Sequence, residues 1–561
     1  MFEHTSPISG VAAFGGRLVA TAGYDNQLIL WDHKSQHSLA SFRHDHLINS
    51  CAFSASGEHL VTASSDYTAA ILKVPELKLV SRLIGHADDV EMAAFDPTGQ
   101  RVATASRDHS VKIWSLNGRL LATCLGHQSD VISVSWSPNG QILVSTGDDG
   151  SQFEWNSVTG IAIRWWERGA VETDTVVMTG DGFFIAGDDE GVITINFGDR
   201  AEKTCAHKSG IKRLVWNENH GQLLSLSYDR KCIFWSLSKN QELEIENSFN
   251  IPPEVWPRSA DFVSKNEVVF GTFSSKYFSL NLETGKWSTR GAHQTRGINA
   301  VLGLRKGDVA TVGDSGALCI NGKPKTQMGS LCNFLCEVSG RIFTGGQLGI
   351  LFDGNSGSHI YQHRSPLNCA TAWGSSSGQN FLLVGAYTGE LLLFQVTETD
   401  VKFLREIKLF KNAVKGISQD GFSGFGVDAT GEAIGFNLES LKYDHPKVWV
   451  YNEKHSKIAN ACCALKTGEF ASVSRDRLLR IWSTQALLKQ ISTPFRNSIK
   501  TLAHLNGTIC AGTYGGEISM LSLKSDTWTS VFRPTKSGIS NVVAAGNRFL
   551  ASSYDGNVYV V

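Results

Sequence analysis

Residues 101–114 read Arg-Val-Ala-Thr-Ala-Ser-Arg-Asp-His-Ser-Val-Lys-Ile-Trp. The stretch predicts a strand, a tight polar turn and a second strand. Val102 and Ala103 open the first strand, and Val111, Ile113 and Trp114 carry the second. Arg107-Asp108-His109-Ser110 supply the turn, because Asp and Ser side chains bond their own backbone and free it from a neighbour's pairing. Upstream, Gly85-His86, Val90 and Phe95 lead to a further turn at Asp96-Pro97-Thr98-Gly99. The unit covers about 40 residues and shows no helical period.

The unit recurs. Gly23-Tyr24-Asp25 stands with Trp31, Gly147-Asp148-Asp149 with Trp155, Ser227-Tyr228-Asp229 with Trp235, and Ser474-Arg475-Asp476 with Trp482; Ser553-Tyr554-Asp555 follows. Asp25, Asp66, Asp108, Asp149 and Asp189 are separated by 41, 42, 41 and 40 residues, and Asp229 comes 40 later. A fixed period near 40, with four short strands per unit, is the signature of propeller blades. Through Gly85-His86 with Asp108 and Ile113-Trp114, Gly126-His127 with Asp149 and Trp155, and Ile481-Trp482, the chain resembles the WD40 repeat family. The resemblance implies a buried hydrogen-bonded tetrad in each well-formed blade. It assigns His4, Thr21, Asp25 and Trp31 to blade one, and His86, Thr104, Asp108 and Trp114 to blade three. Blade four takes His127, Ser145, Asp149 and Trp155, and blade six takes His207, Ser225, Asp229 and Trp235. Blade two keeps His44, Thr62 and Asp66, with Leu72 in place of Trp. A buried Asp and His need partners, so these histidines read as structural rather than as metal ligands or catalysts.

Beyond Trp235 the motif weakens while the period persists, giving fourteen units in all. One ring of that size lies outside the usual four to eight blades. The expected fold is therefore all-β, two seven-bladed WD40 β-propellers in tandem, over residues 1–290 and 291–561. The order is similar in architecture alone to actin-interacting-protein-type double propellers. Tyr559-Val560-Val561 reads as the third strand of blade fourteen, and the segment Met1 to Glu3 is expected to complete it.

The 561 residues are 42% hydrophobic and 19% charged, with a net charge of −1, so no global attraction to nucleic acid or membrane is implied. Met1-Phe2-Glu3-His4 has neither the basic nor the apolar region of a signal peptide. Eleven scattered cysteines, among them Cys51, Cys232, Cys319, Cys369 and Cys510, suit buried thiols in a reducing, cytoplasmic setting. His-Glu-x-x-His and the phosphate loop are absent. Gly421, Gly424 and Gly426 lie between strands and read as turns. Cys332 with Cys336, and Cys462 with Cys463, lack zinc spacing. No enzyme, cofactor or metal is expected.

Function in a propeller then falls to loops at the ring faces. The resemblance implies a rim formed by the residue before each turn Asp and by residues flanking the first inner-strand position. In ring one this selects Asp89, Glu91, Arg107, Asp130, Asp148, Glu172, Asp174 and Asp188 as an acidic sector. Lys212, Tyr24, Tyr228, Trp256 and Arg258 form an aromatic and cationic sector. In ring two it selects Lys415, Lys457, Arg475 and Lys500, with Ser540 and Tyr554 beside them and Asn299, Cys332 and Asn368 opposite. Solvated loop charge is one reading. The other is a non-enzymatic scaffold that takes a basic segment on ring one and an acidic or phosphorylated segment on ring two. Four cations without interleaved aromatics do not suit nucleic acid. An enzyme or small-ligand protein using a channel or inter-propeller cleft is the alternative, and cytoskeletal (actin) association is a third. In Trp165-Trp166-Glu167-Arg168 the two indoles point to opposite faces, so one serves as an exposed anchor or both pack between blades.

Overall fold

The computed structural model describes all residues except Met1, 168–170, Asp199, 239–240, 305–306 and Thr467, together with the side chain of Glu167. Arg168 and the start of the N-terminal segment thus lie outside the described residues. Among the described residues the chain forms thirteen four-stranded sheets and one three-stranded sheet, each built from consecutive strands. They divide into two compact units, Met1–Thr295 and Arg296–Val561. The first unit holds sheets over 8–43, 48–84, 90–125, 131–167, 175–205, 211–250 and 255–288. The second holds sheets over 298–327, 332–362, 367–408, 414–450, 459–492, 499–528 and 539–560. Each unit is a seven-bladed β-propeller, and the sheets are called blades one to fourteen below.

Blade three shows why the sequence folds this way. Arg101–Ser106 and Ser110–Ser115 pair Ala103 with Ile113 and Thr104 with Lys112. Val102 through Ser106 are all buried. Blades stack face to face, so a middle strand is covered on both sides and reads as a run of small and apolar residues instead of alternating. Val102 and Trp114 pack onto Val61, Ile71 and Leu83 of blade two. Ala103 and Ile113 pack onto Val134, Leu143 and Trp155 of blade four. The outer strand Leu120–Leu125 is covered less, and Leu125 is 71% exposed. Truncating a buried indole such as Trp114 to Ala costs about 3–5 kcal/mol.

The tetrads hold these strands in register. In blade three His86 Nδ1 meets Asp108 at 2.7 Å, while Thr104 Oγ1 bonds both His86 Nε2, at 2.7 Å, and Trp114 Nε1, at 2.8 Å. The same bonds join His4, Thr21, Asp25 and Trp31, and His207, Ser225, Asp229 and Trp235. Blade two has His44–Asp66 and His44–Thr62 without the indole. Blade four differs from expectation. His127 Nδ1 bonds Ser151 Oγ at 2.9 Å, and Ser151 in turn bonds Asp149 at 2.5 Å, so a hydroxyl relays the contact. Blade twelve has a tetrad that was not assigned from sequence: His455 with Asp476 and Ser472, and Trp482 on Ser472.

Each turn acid also accepts the amide two residues on, as Asp108 does from Ser110 and Asp476 from Leu478. The intervening residue takes positive φ: His109 at 66° and Arg477 at 61°, with Gly at the matching position elsewhere (Gly150, Gly191). This geometry fixes the phase of each hairpin.

Among the described residues, neither ring closes by exchanging a strand. In ring one, blade one meets blade seven through Val11 N–H to Ser259 Oγ (2.6 Å) and Ala13 N–H to Asp261 Oδ2 (2.8 Å), over a core of Ile8, Val11, Trp31, Val269 and Tyr277. Other joints use the same device, for instance Leu214 N–H to Thr175 Oγ1. In ring two, Val301 N–H donates to Asn541 Oδ1. The N-terminal stub does not complete blade fourteen. Phe2 N–H donates to Ser38, Glu3 pairs with Lys276, and His4 N–H donates to Ser275, all within the first unit. The last sheet keeps three strands, ending at Val558–Val560.

Two outcomes are expected. Thr104→Val removes the hydroxyl that bonds both His86 and Trp114 and should cost about 1–3 kcal/mol in chemical denaturation, because two buried groups lose their partner. Burial pushes the His127 imidazole down to about 4, and holds His86 and His455 below the ordinary value as well. At these three sites the unfolded chain, with histidines near ~6.5, binds more protons between roughly pH 6.5 and 4, opposite in sign to the raised carboxylates of ring one such as Asp189 at about 6. The histidine contribution to stability should therefore rise with pH across that window, as read by the difference in urea midpoint between wild type and His127→Gln at several pH values.

Candidate functional site

The inner strands bring two different constellations to the channel mouths. In ring one, Arg107 reaches Glu91 and Asp130, each at 2.5 Å, with Asp148 at 3.8 Å. Lys212 pairs with Asp174 and Asp189, and Glu172 lies 4.0 Å away. Arg258 of blade seven crosses to Glu91 of blade three at 3.4 Å, and Arg213 of blade six reaches Met92 Sδ of the same strand at 3.7 Å. These blades are not neighbours in the ring, so the arginines span the channel. Ligand atoms of Glu172, Asp174 and Asp189 lie within 4.8 Å of one another, but the Lys212 ammonium already bonds two of the three.

Six carboxylates here (Glu91, Asp130, Asp148, Glu172, Asp174 and Asp189) face three cations (Arg107, Lys212 and Arg258). The charge imbalance appears in the proton affinities. Burial raises Asp148 well above the usual carboxylate range, and Asp130 and Asp174 add repulsion that Arg107 only partly offsets. Burial raises Glu172 likewise, with Asp174, Asp189 and Asp148 adding to it. Asp189 rises to about 6, mainly through burial and against the pull of Lys212. Asp174 is buried too, yet Lys212 holds it low.

In ring two a cavity of about 300 Å³ lies on the inner strands of all seven blades. In each blade the residue after the first inner-strand position contributes to its wall: Asn299, Asn333, Asn368, Lys415, Asn460, Lys500 and Ser540. Four of these amides tie blade to blade. Asn299 donates to Cys332 O, Asn333 to Leu367 O, Asn368 to Val414 O and Asn460 to Ile499 O, over 2.6–3.1 Å. Lys415 and Lys500 interrupt this hoop. Lys415 Nζ stands 4.6 Å from the Tyr387 ring centre, and Arg475 and Lys500 flank the Tyr514 ring at 5.4 and 5.6 Å. Burial would raise the Tyr514 phenol, but Lys500, then Arg475 and Lys415, bring it down to about 8.

The predicted site residues separate accordingly. Glu91, Arg107, Asp130, Asp148, Glu172, Asp174 and Arg258 meet in one network. Asp89 is fully buried against Ser65, and so lies beneath the rim. Asp188 does not join the network. Its carboxylate accepts the amides of Glu190 and Val192, in a groove with Thr194 and Lys203, and Asp189 takes the rim position. Gly191 has the positive φ that elsewhere follows the turn acid, so blade five is offset by one residue from the 40-residue count. Trp256 is 5% exposed, edge-on to Tyr24 and under Arg258, and is no free anchor. Tyr228 lies beside Lys212. Trp165 is 58% exposed on the outermost strand of blade four, while Trp166 packs against Phe184 of blade five. In ring two, Lys415, Lys500 and Tyr554 line the cavity and Arg475 stands beside it. Lys457 is half-buried just before the inner strand of blade twelve. Cys332 is fully buried, and its neighbour Asn333 carries the bond to Leu367.

The tyrosines provide a test. One of the eleven should titrate near pH 8 in ultraviolet difference spectra, and Lys500→Met should move it back toward ~10.

A family model described as WD domain, G-beta repeat, matches residues 1–32, 36–71, 77–115, 118–151 and 200–236, which fall on blades one to four and six. Over 111 residues the chain is 32% identical to a probable cytosolic iron-sulfur protein assembly protein CIAO1 homolog of Caenorhabditis elegans, covering 18% of this chain and 33% of that one. Over 119 residues it is 31% identical to a ribosome biogenesis protein WDR12 homolog of Drosophila persimilis, covering 20% and 28%. It is 27% identical over 122 residues to human WD repeat-containing protein 36, covering 22% and 14%. The chain thus spans a third or less of the length of these relatives. The first ring thus carries WD40 repeats, matched on blades one to four and six.

Proposed function

We propose that this chain is a non-catalytic interaction scaffold whose channel mouths take segments of partner proteins: a basic segment on ring one, and an acidic or phosphorylated segment on ring two. The observation that carries the reading is the excess of carboxylate over cation at the mouth of ring one, six against three, with Asp148 and Glu172 held above their ordinary range. A guest Lys or Arg side chain would supply the missing positive charge and steer the encounter. Tyr24 and Tyr228 flank the cluster as partly exposed aromatic surface. Catalysis by converging carboxylates is disfavoured, because Lys212 already occupies their centre. Two of the relatives are named for assembly and biogenesis, in keeping with a scaffold. A cytoplasmic location fits the eleven unbridged thiols.

A bound cation lowers the proton affinity of the carboxylates it meets, so binding should release protons and tighten as pH rises from 5 to 8. Titration calorimetry of the full chain with a Lys/Arg-rich peptide should show at least a tenfold gain in affinity across that range. Asp148→Asn with Glu172→Gln should weaken binding and flatten the profile, while Asp188→Asn leaves both unchanged. Equal binding by all three proteins would sink the reading.

A further inference from the structure

We propose that the cavity at the mouth of ring two is a binding site for a small phosphate-bearing molecule, a phosphate ester or polyphosphate, whose charged end enters the channel. This rests on the reading of ring two as an anion-recognising face, and goes beyond it in assigning a small molecule and a location. Four observations converge on it. The space is a single cavity of about 300 Å³ bounded by all seven inner strands, which suits a compact ligand rather than a flat contact. No Asp or Glu contributes to its wall among the described residues. Lys415, Arg475 and Lys500 come from three consecutive blades, eleven to thirteen, and all three act on the same Tyr514 phenol. Lys500 has no ion-pair partner among the described residues; its contact is with the Tyr514 ring.

Like charges gathered in a partly desolvated pocket repel, and an anion between them removes the cost. A single carboxylate cannot neutralise three cations. A phosphate group carries up to two charges and presents oxygens in several directions, and lysines bind it as point charges. The rest of the wall suits the same guest. Asn333, Asn368 and Asn460 are each held by one N–H on a neighbouring carbonyl, which fixes the amide planes around the cavity before any ligand arrives. Asp314 accepts from Asn299 in blade eight, outside the three blades that carry the cations.

The test uses the full chain and three probes: sodium tripolyphosphate, a phosphoserine peptide, and an acidic peptide without phosphate. Calorimetry should give one tripolyphosphate site per chain, weakened at higher salt. Lys415→Gln with Lys500→Gln should reduce affinity at least tenfold. Lys500→Gln alone serves if the double variant folds poorly, and should lose several-fold. A phosphoserine peptide that competes with tripolyphosphate identifies the source of the phosphate as a protein side chain and overturns the small-molecule assignment if it binds tighter. Tripolyphosphate that does not bind, or binds equally to the variants, overturns the inference. The acidic peptide separates the two proposals: if it binds wild type and not the variants while tripolyphosphate fails, only the small-molecule site is lost, and if neither binds, the anion-recognising face is lost as well.

Discussion

One hydroxyl in each of five blades carries much of the structure. Thr104, like Thr21, Ser145, Ser225 and Ser472, accepts from an indole and bonds an imidazole, while the other nitrogen of that imidazole is engaged by the turn acid or its serine relay. The bond ties the loop before a blade to its second strand, its third strand and the hairpin between them. A neutral hydrogen bond is worth only about 1 kcal/mol net, but each of these groups is buried and would be costly without its partner. The arrangement therefore specifies more than it stabilises: it decides which residues face the channel and which face the next blade.

That decision explains how much of the molecule could be read from the chain. Spacing between turn acids gave the blade count and the two rings, because the hairpin geometry after Asp25 or Asp108 repeats with little variation. Where the acid is doubled the count misleads. Asp188-Asp189-Glu190 offers three carboxylates in a row, and only the positive φ of Gly191 shows that Asp189 faces the rim. His455 carried a readable signal, since Ser472, Asp476 and Trp482 stand at the usual offsets from one another. Blade fourteen departs from the sequence expectation because pairing of a short segment depends on where the rest of the fold puts it.

The rim was legible by residue type and not by contact. Sequence marked Arg107 as a cation among carboxylates and Arg258 as part of the aromatic sector; that Arg258 crosses from blade seven to Glu91 in blade three depends on ring curvature. The same limit applies to ring two. Lys415, Arg475 and Lys500 are 25 or more residues apart, and their convergence on Tyr514 follows only from three consecutive blades placing inner-strand and turn positions around one axis.

The joint between blades one and seven has a further consequence. It is made by Ser259 and Asp261 holding backbone amides of the first strand, as Thr175 does between blades five and six. No strand is exchanged there, so this joint has no privileged latch. The closing joint of the first ring is fastened as the joint between blades five and six is, so closure asks for no interaction that an internal joint does not already use.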